Sequence, residues 1–266
     1  MSESPVRKAV ILARGLGTRM RAEDPTASLD ESQKAVADLG LKTLVPIFEG
    51  KTLLDFILTS VLDAGFTDIC LVIGEEHMAI RDFCAKKNHL ISFAIQGNPL
   101  GTADAVRAAE NFAEGESFLV VNSDNLYPIS ALKALRAVGV SGLVAFDRQA
   151  LVSESNIPAE RIASFAEVVL DDDGYLKEIV EKPSNPRPQA SVSMNAWLFT
   201  SKIFDSCRLI GPSARGEFEI TDAVAHAMRE FGEKFRAVPS SEGVLDLSSR
   251  ADVLSIEAIL RNRSHN

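Results

Sequence analysis

The chain has 266 residues, of which 46% are hydrophobic and 24% charged, a profile that excludes a disordered or fibrous protein. Its formal net charge of -9 at pH 7 argues against a general affinity for nucleic acid or anionic membrane, because either partner requires a basic face. Any phosphate group must therefore be held by a few local cations.

Through the first half of the chain, short β-branched runs alternate with longer segments of helical periodicity. This alternation predicts an α/β fold with a mainly parallel central sheet and helices on both faces. The length permits one large domain or two small ones, and we predict a single domain over 1–266. The predicted strands are 8–13, 68–74, 91–95, 117–124 and 142–146, and the predicted helices are 52–66, 77–87, 102–113 and 129–139.

The pattern changes after Phe146, where antiparallel strands are predicted to join the sheet and make it mixed. Residues 163–183 form two strand-like runs around an Asp-Gly turn, and 191–200 form a third run. Helical periodicity then returns, and serines are predicted to cap the last helix. The three predicted helices of this half are 201–210, 220–232 and 248–262.

Two stretches have little periodicity and are predicted to be loops over a site, with plain surface connectors as the alternative. One is 21–33, and the other is the proline-rich 182–190. The wider segment 21–41 is long for a connection, so whether it forms a mobile lid is left open.

The cysteines and the apolar runs bear on the compartment. Cys70, Cys84 and Cys207 have no metal-ligand spacing, and an odd number makes a poor disulfide framework, so we interpret them as reduced thiols. The N-terminal apolar run is too short for a secretory signal, and no stretch approaches the ~20 apolar residues that span a bilayer. The sequence predicts a soluble, cytoplasmic protein without a membrane partner.

A glycine-rich loop, "LARGLGTR" at 12–19, follows the first strand. It lacks the third glycine of a dinucleotide fingerprint, since Met20 stands there, and the Lys-Ser/Thr pair of a P-loop. Its backbone N–H groups are predicted to form an anion nest with Arg19 as a charged clamp. The alternative is a tight strand-to-helix connection.

Seven further motifs follow this loop: "LKTLVPI" (41–47), "QGNPLGTADAV" (96–106), "VNSDNLY" (121–127), "EKP" (181–183), "MNAWLF" (194–199), "GEFEITDA" (216–223) and "VLDLSSRADVL" (244–254). In this order, and over nearly the whole chain, the set resembles the sugar-1-phosphate nucleotidyltransferases, also called nucleotide-sugar pyrophosphorylases. The resemblance implies a GT-A-like, Rossmann-like nucleotidyltransferase fold. It also implies a nucleotide-binding half at about 1–146 and a sugar-phosphate-binding half at about 147–266.

The implied reaction transfers a nucleoside monophosphate from an NTP to a sugar 1-phosphate and releases pyrophosphate. Because the sugar phosphate oxygen attacks the α-phosphorus in line, several negative groups are crowded together. Each like-charge pair costs about 4 kcal/mol at ~4 Å and an effective dielectric of ~20, so cations are required.

The resemblance implies that Arg19, Lys42 and Asp124 are catalytic. Arg19 would grip the β- and γ-phosphates, and Lys42 would reach the phosphates around the reacting centre. Asp124 and Asp246 would bind Mg²⁺, which suits two hard carboxylates better than zinc does. The alternatives are a solvated lysine and aspartates that cap turns or helices.

The resemblance also implies the substrate contacts. Gln96 would hydrogen-bond the base edge, Gly101 would let the backbone approach, and Thr102 would cap the following helix. Lys182 would hold the sugar 1-phosphate. The implied nucleotide-binding residues are Leu12, Ala13, Arg14, Gly15, Gly17, Thr18, Gln96, Gly101 and Thr102, and the implied sugar-phosphate-binding residues are Asn122, Glu181, Lys182, Asn195 and Glu217.

Two residues depart from the family pattern. Arg14 stands where a small residue is common, and we expect it to add charge beside the base and the phosphates. Trp197 stands where a glycine is frequent, so it either narrows the sugar pocket, offers a stacking face or lies in the core.

Other functions stay open at this point. A non-catalytic nucleotide-sugar-binding regulatory protein would share the fold, because fold does not determine function. A cytidylyltransferase for an alcohol phosphate such as phosphocholine is a further alternative. A glycosyltransferase would show an Asp-x-Asp motif, whereas "NSDN" has one aspartate. The base, the sugar and homo-oligomerisation are not decided by the sequence.

Overall fold

Strands and helices alternate through the first half of the protein, as the periodicity predicts. The structure is a computed structural model that describes residues 5–25, 27–87 and 90–264. The strands are β1 (Lys8–Leu12), β2 (Pro46–Phe48), β3 (Lys51–Thr52), β4 (Asp68–Ile73), β5 (Ile91–Ile95), β6 (Phe118–Asn122), β7 (Asn125–Leu126), β8 (Gly142–Phe146), β9 (Ala166–Leu170), β10 (Leu176–Val180), β11 (Ser191–Ser193), β12 (Trp197–Phe199), β13 (Arg236–Ser240) and β14 (Leu245–Asp246). The helices are α1 (Thr18–Arg21), α2 (Glu31–Asp38), α3 (Leu53–Asp63), α4 (Met78–Lys86), α5 (Thr102–Ala108), α6 (Glu110–Ala113), α7 (Ile129–Val138), α8 (Arg148–Glu154), α9 (Ala159–Ile162), α10 (Ile203–Leu209), α11 (Ile220–Phe231) and α12 (Ala251–Ser264), with a 3-10 turn at Lys42–Leu44.

A ten-stranded mixed sheet runs in the order β10-β9-β11-β8-β12-β6-β1-β4-β5, with β13 paired to β8. Strands β5, β4, β1 and β6 are parallel to one another. Strand β12 is antiparallel to β6 and begins the antiparallel region of the second half. The predicted mixed sheet with a parallel first half is confirmed.

The core lies on both faces of this sheet. Along β1, Ala9 and Ile11 belong to one buried cluster, whereas Val10 belongs to the other. Successive residues of a strand point to opposite faces, so a strand that is apolar throughout must be covered on both sides. Among the residues that the structure describes, no helix is long and apolar enough to cross a membrane.

Trp197 is part of this core. Its side chain is fully buried on β12, and its ring stacks on Phe199 with centroids 5.6 Å apart. Of the three roles considered for this residue, the core role is correct. The two pocket roles are wrong, because the ring packs with the buried aromatics of the second cluster.

Residues 21–33 were predicted to be a loop, but helix α2 begins within that range. Asp30 accepts the backbone N–H of Gln33 at 2.8 Å, and Gln33 Oε1 accepts the N–H of Asp30 at 3.1 Å. This capping box satisfies backbone groups at the start of the helix. Arg250 then holds the segment at both ends, through Met20 O and through the carboxylate of Asp38.

Two other predicted elements are interrupted. The single strand expected at 191–200 is divided into β11 and β12, because Asn195 has a φ of 59° and cannot continue an extended strand. The single helix expected at 102–113 is divided into α5 and α6 at Ala109. At the start of α12, the carboxylate of Asp252 accepts N–H groups of Ser248 and Ser249, so a carboxylate rather than the predicted serine hydroxyl takes these donors.

Candidate active site

Two adjoining clefts lie where the parallel strands of the first half end. The larger has a volume of about 440 Å³ and is lined by the glycine loop, the segment 40–43 and the loop before α5. The smaller has a volume of about 200 Å³ and is lined mainly by residues of the second half. Arg19, Asn122 and Asp124 line both clefts, so a group bound in one would meet a group bound in the other at these residues.

The structure brings the predicted site residues together in this region. All nine predicted nucleotide-binding residues line the larger cleft, as does Lys42. Asn122, Glu181, Lys182 and Asn195 line the smaller cleft. Glu217 was predicted to contact the sugar, but it lines the larger cleft and not the smaller one.

The glycine loop packs against the segment that carries Lys42. Gly17 has a φ of 62°, and a Cβ atom at this position would overlap the backbone carbonyl of Gly40. At Gly15, by contrast, a Cβ atom would meet nothing within 4 Å. Gly17 is therefore required by close packing and by its left-handed backbone, whereas Gly15 leaves the backbone open toward the cleft.

Lys42 and Asp124 form an ion pair at the junction of the two clefts. Lys42 Nζ lies 3.1 Å from Asp124 Oδ2, and the side chains are 18% and 32% exposed. Asp124 lies two residues after the end of β6, and its backbone carbonyl accepts the N–H of Leu247 at 2.8 Å. Two residues 82 positions apart in the chain thus place opposite charges at the shared wall of the clefts.

Arg14 supports the loop that carries Gln96. Its Nε donates to Gln96 O at 3.0 Å and its Nη2 to Gly97 O at 3.3 Å, and Nη2 pairs with Glu76 at 2.9 Å. Glu76 and two backbone carbonyls take the Nε and Nη2 groups, while Arg14 lines the larger cleft, so the expectation that it adds charge beside the base and the phosphates stays a prediction.

The orientation of the Gln96 amide is determined by two acceptors. Nε2 donates to Gly101 O at 3.1 Å and to Asp104 Oδ2 at 2.9 Å. Since neither partner can donate here, the amide nitrogen must face both of them. Oε1 is then the amide atom available to a ligand, and a base edge that meets it must bring a donor.

The loop before α5 is joined to the segment that holds Glu217. Phe218 N donates to Leu100 O at 2.8 Å, and Ala103 N donates to Phe218 O at 2.8 Å. Gly101 has a φ of 123°, and a Cβ atom there would overlap the backbone of Phe218. The close approach at Gly101 is therefore to the protein's own chain.

Thr102 does not cap α5 as predicted. Gly101 occupies the N-cap position, and the Thr102 hydroxyl accepts the N–H of Ile220 at 2.9 Å. Thr102 therefore adds a further contact between the loop before α5 and the segment that holds Glu217, since Ile220 is the first residue of α11.

Sequence reasoning missed His77, which lines the larger cleft and is 8% exposed. Its Nδ1 accepts the N–H of Gly74 at 3.3 Å, which places the ring proton of the neutral form on Nε2. Burial lowers the pKa of His77, and the charges of Arg14 and Arg21 lower it further against the opposing effect of Glu76. The sequence feature that could have identified His77 is the polar run directly after strand β4. This run lies at the edge of the sheet where the other site residues are found.

Lys182 and Asn195 flank the smaller cleft with strained backbones. Their φ angles are 44° and 59°, a region that costs non-glycine residues roughly 1–2 kcal/mol. The loop 182–190 is held by Arg187, whose backbone N–H and guanidinium both bond the buried carboxylate of Glu167. Asn195 Oδ1 accepts Trp197 Nε1–H at 3.2 Å. These contacts thus stabilise the left-handed backbone conformations of Lys182 and Asn195, which non-glycine residues rarely adopt.

Glu181 lies beside Lys182 in the same cleft. Burial raises the pKa of Glu181, and the negative charge of Glu219 raises it further. The Glu181 carboxyl is therefore protonated more readily on acidification than a solvated glutamate is.

Asp246, the second predicted metal ligand, is 6% exposed and lies on β14, which pairs with β7. Its carboxylate accepts from Asn125, Arg161 and Ser248. Burial raises the pKa of Asp246, and the nearby charge of Asp124 raises it further. Among the described residues, no three His, Cys, Asp or Glu side chains are grouped to hold a metal ion.

Comparison with known proteins gives consistent results. Residues 8–247 match the family model described as nucleotidyl transferase. The chain is 30% identical over 261 residues to a glucose-1-phosphate thymidylyltransferase of Streptomyces antibioticus, with 94% of this chain and 65% of that protein covered. It is 27% identical over 227 residues to the low-salt glycan biosynthesis nucleotidyltransferase Agl11 of Haloferax volcanii, with 84% and 57% covered. The chain thus spans between half and two thirds of the length of these relatives.

The fold also has a counterpart among solved structures. A crystal structure of UDP-glucose pyrophosphorylase complexed with UDP-glucose superposes with a TM-score of 0.76, at 20% identity, and covers 97% of this chain and 99% of that one. A likeness at this level of identity establishes the fold.

Proposed function

The chain belongs to the nucleotidyl transferase family, and on this premise we propose that it transfers a nucleoside monophosphate from an NTP to a sugar 1-phosphate. The products are a nucleotide sugar and pyrophosphate. The observation that carries the proposal is the pair of adjoining clefts that share Arg19, Asn122 and Asp124. A two-substrate phosphoryl transfer needs two binding sites that meet at one reacting centre.

In this proposal the nucleotide occupies the larger cleft and the sugar phosphate the smaller one. A sugar phosphate oxygen forms a bond to the α-phosphorus, and the bond from that phosphorus to the pyrophosphate oxygen breaks. Arg19 and Lys42 offset the negative charge of the phosphates, and the glycine loop offers backbone N–H groups to them. The protein contributes positioning and charge rather than a covalent intermediate.

We further propose that the reaction uses Mg²⁺, held by Asp124. The Asp124 carboxylate is a hard ligand, is one-third exposed and faces both clefts. Mg²⁺ is commonly held by one or two carboxylates together with water and substrate phosphate oxygens, so a single aspartate is a sufficient protein ligand. When bound, the ion would withdraw charge from the phosphates of the nucleotide.

We also propose a cytoplasmic location. Cys70, Cys84 and Cys207 are buried and unpaired within the described part of the chain, which suits a reducing compartment.

The test of the proposed function is a matrix of the four NTPs against a panel of sugar 1-phosphates and phosphocholine, with Mg²⁺, scored by pyrophosphate release. Turnover with one NTP and a sugar 1-phosphate is the expected result. Nucleotide binding without turnover in any pair would support a regulatory protein instead. Turnover with CTP and phosphocholine alone would support the alcohol-phosphate alternative.

We expect Lys182→Ala to raise the KM for the sugar 1-phosphate about tenfold and to change the KM for the NTP less than about twofold, since an ion-assisted hydrogen bond is worth roughly 1.5–3 kcal/mol. Steady-state kinetics with each substrate varied in turn would measure this. Lys177→Ala is the matched control, because Lys177 is an exposed lysine on β10 that lines neither cleft. A larger effect on the NTP would reassign Lys182 to the nucleotide.

Glu181 leads to a pH prediction. If its carboxylate accepts sugar hydroxyls, the KM for the sugar phosphate should rise as the pH falls through the raised pKa of this group. A raised carboxyl pKa means that the folded protein binds this proton more tightly than the unfolded chain, so protonation of Glu181 stabilises the fold and weakened binding is not unfolding.

The measurement is the KM for the sugar phosphate in wild type and in Glu181→Gln across the acidic range. In Glu181→Gln, the part of the pH dependence of KM that is due to Glu181 should disappear. The part due to the substrate's own phosphate, whose second pKa is about 6, should remain. Identical profiles in the two proteins would contradict the role of Glu181.

A further inference from the structure

Arg161 faces two buried carboxylates at the wall of the smaller cleft. Its Nη1 lies 2.8 Å from Asp246 Oδ2, and its Nη2 lies 3.0 Å from Asp252 Oδ1. Each carboxylate is 6% exposed and the guanidinium is 22% exposed. A planar guanidinium suits such forked pairing, and a buried pair becomes costly when one partner is removed.

Two further protein donors bind the Asp246 carboxylate, so that Oδ2 accepts from Arg161 and Ser248 and Oδ1 accepts from Asn125. Asn125 Nδ2 donates to Oδ1 at 2.9 Å, and Ser248 Oγ donates to Oδ2 at 2.7 Å. The backbone of Asp246 is bracketed by Asn156, which accepts its N–H at 2.8 Å and donates to its carbonyl at 2.9 Å. A divalent ion at Asp246 would have to use the second lone pair of Oδ1 or displace one of these donors, and in either case it would approach the fixed guanidinium charge of Arg161.

Asp124 differs from Asp246 in each of these respects. Its side chain is 32% exposed, and its cationic partner is Lys42, at 3.1 Å and on a flexible stem. The donor sets therefore fit a cation at Asp124 and do not fit one at Asp246.

We infer that Arg161 takes the place of a divalent cation at Asp246, so that Asp246 is a positioning residue and not a metal ligand in this chain. The inference rests on the proposed function and corrects the metal role that the family resemblance implied for Asp246. Asp124 would then be the carboxylate that holds Mg²⁺, with substrate oxygens and water as the further ligands.

The contacts of Asp246 explain what it positions. Its partner Asn125 adjoins Asp124 in the chain and accepts from Asn122 Nδ2 at 3.2 Å. Leu247, which follows Asp246, donates its backbone N–H to the carbonyl of Asp124 at 2.8 Å. Asp246 and Leu247 thus hold the chain at Asp124 and Asn125, and Arg161, which also pairs with Asp252, offsets part of the charge that Asp246 brings there.

The test measures Mn²⁺ affinity by electron paramagnetic resonance, in the presence of a non-reactive α,β-methylene analogue of the NTP that wild type binds. We expect Asp124→Asn to weaken Mn²⁺ binding about thirtyfold or more, and Asp246→Asn to change it less than about threefold, because only the first variant removes a ligand. Equal losses in the two variants would overturn the inference. Thermal unfolding of each variant checks that the fold is retained.

Arg161→Gln sharpens the test. Removal of the guanidinium leaves the Asp246 carboxylate uncompensated beside Asp124, so Mn²⁺ affinity should rise several-fold, by about 1 kcal/mol. In this background Asp246→Asn should abolish the gain, which is a coupling that a double-mutant cycle measures. An unchanged Mn²⁺ affinity in Arg161→Gln would contradict the inference.

A conservative variant covers the case in which Arg161→Gln does not fold. Arg161→Lys keeps the positive charge, so its Mn²⁺ affinity should equal that of wild type. The comparison of Asp124→Asn with Asp246→Asn then still tests whether Asp246 is a metal ligand. These readouts do not require turnover. If wild type binds no NTP, the proposed function fails, whereas normal nucleotide and Mn²⁺ binding with equal losses in the two aspartate variants defeats the inference alone.

Discussion

Asp124→Asn should lower kcat by about a thousandfold or more, with little change in thermal stability. The substitution keeps the shape of the side chain and removes its charge, at the point where the two clefts meet. Loss of charge stabilisation at a reacting centre typically costs 10²–10³-fold, and loss of a bound cation adds to this. The stability cost is small, because Lys42 keeps 18% of its side chain in solvent and can hydrate its charge.

The measurement is pyrophosphate release under saturating substrates, with a melting curve of each protein. Asp68→Asn is a matched control. Asp68 is 35% exposed and pairs with Arg7 at 2.8 Å, as Asp124 is 32% exposed and pairs with Lys42, but it begins strand β4 at the opposite end of the sheet from the clefts. Its variant should retain kcat within about twofold, since an exposed pair contributes about 0–1 kcal/mol. An Asp124→Asn enzyme of near-normal activity would remove Asp124 from the catalytic centre.

Gly17→Ala should lower the free energy of unfolding by about 3 kcal/mol, combining roughly 1–2 kcal/mol for a left-handed backbone with a similar overpacking cost. The overlap is with the backbone carbonyl of Gly40, which cannot move aside as a flexible side chain would. The melting temperature should fall by roughly 10 °C. Because Gly40 lies two residues before Lys42, nucleotide affinity should also fall.

Gly15→Ala separates packing from ligand contact within the same loop. A Cβ atom at Gly15 meets no protein atom within 4 Å, and the residue is not in the left-handed region. Its melting temperature should stay within about 2 °C of wild type, whereas nucleotide affinity should fall if phosphate approaches this backbone. Equal melting temperatures for the two alanine variants would show that the contact between Gly17 and Gly40 is not required.

Much of the fold could be predicted from the sequence. The strands of the parallel half are continuous apolar runs bounded by turn residues, and the helices between them have their own periodicity, so both signals are local. Helix α2 was missed although Asp30 and Gln33 form a recognisable capping box, because the surrounding polar composition indicated a loop. Asn195 was missed as an interruption, because the residues on both sides of it indicated one continuous strand, whereas its φ of 59° separates β11 from β12.

The candidate site was predictable where its residues belong to sequence motifs. Lys42 and Asp124 could each be proposed from a motif, and the structure brings them within 3.1 Å. The ion pair between Arg14 and Glu76 was not predicted, because Glu76 follows a different strand. His77 was also missed, because its place in the larger cleft depends on several segments that are far apart in the sequence.

The sequence by itself determined the alternation of elements, the glycine loop and the order of the motifs, because each depends on side chains that are close along the chain. Only the tertiary structure decided which partners each of the two aspartates has and how far its carboxylate is exposed. Asp246 meets Arg161 across 85 positions and Asn125 across 121. No local pattern records such a partnership, because it arises when strand β14 pairs with β7 and when helix α9 packs beside them, and the buried charges then have to be satisfied by whatever side chains the fold brings there.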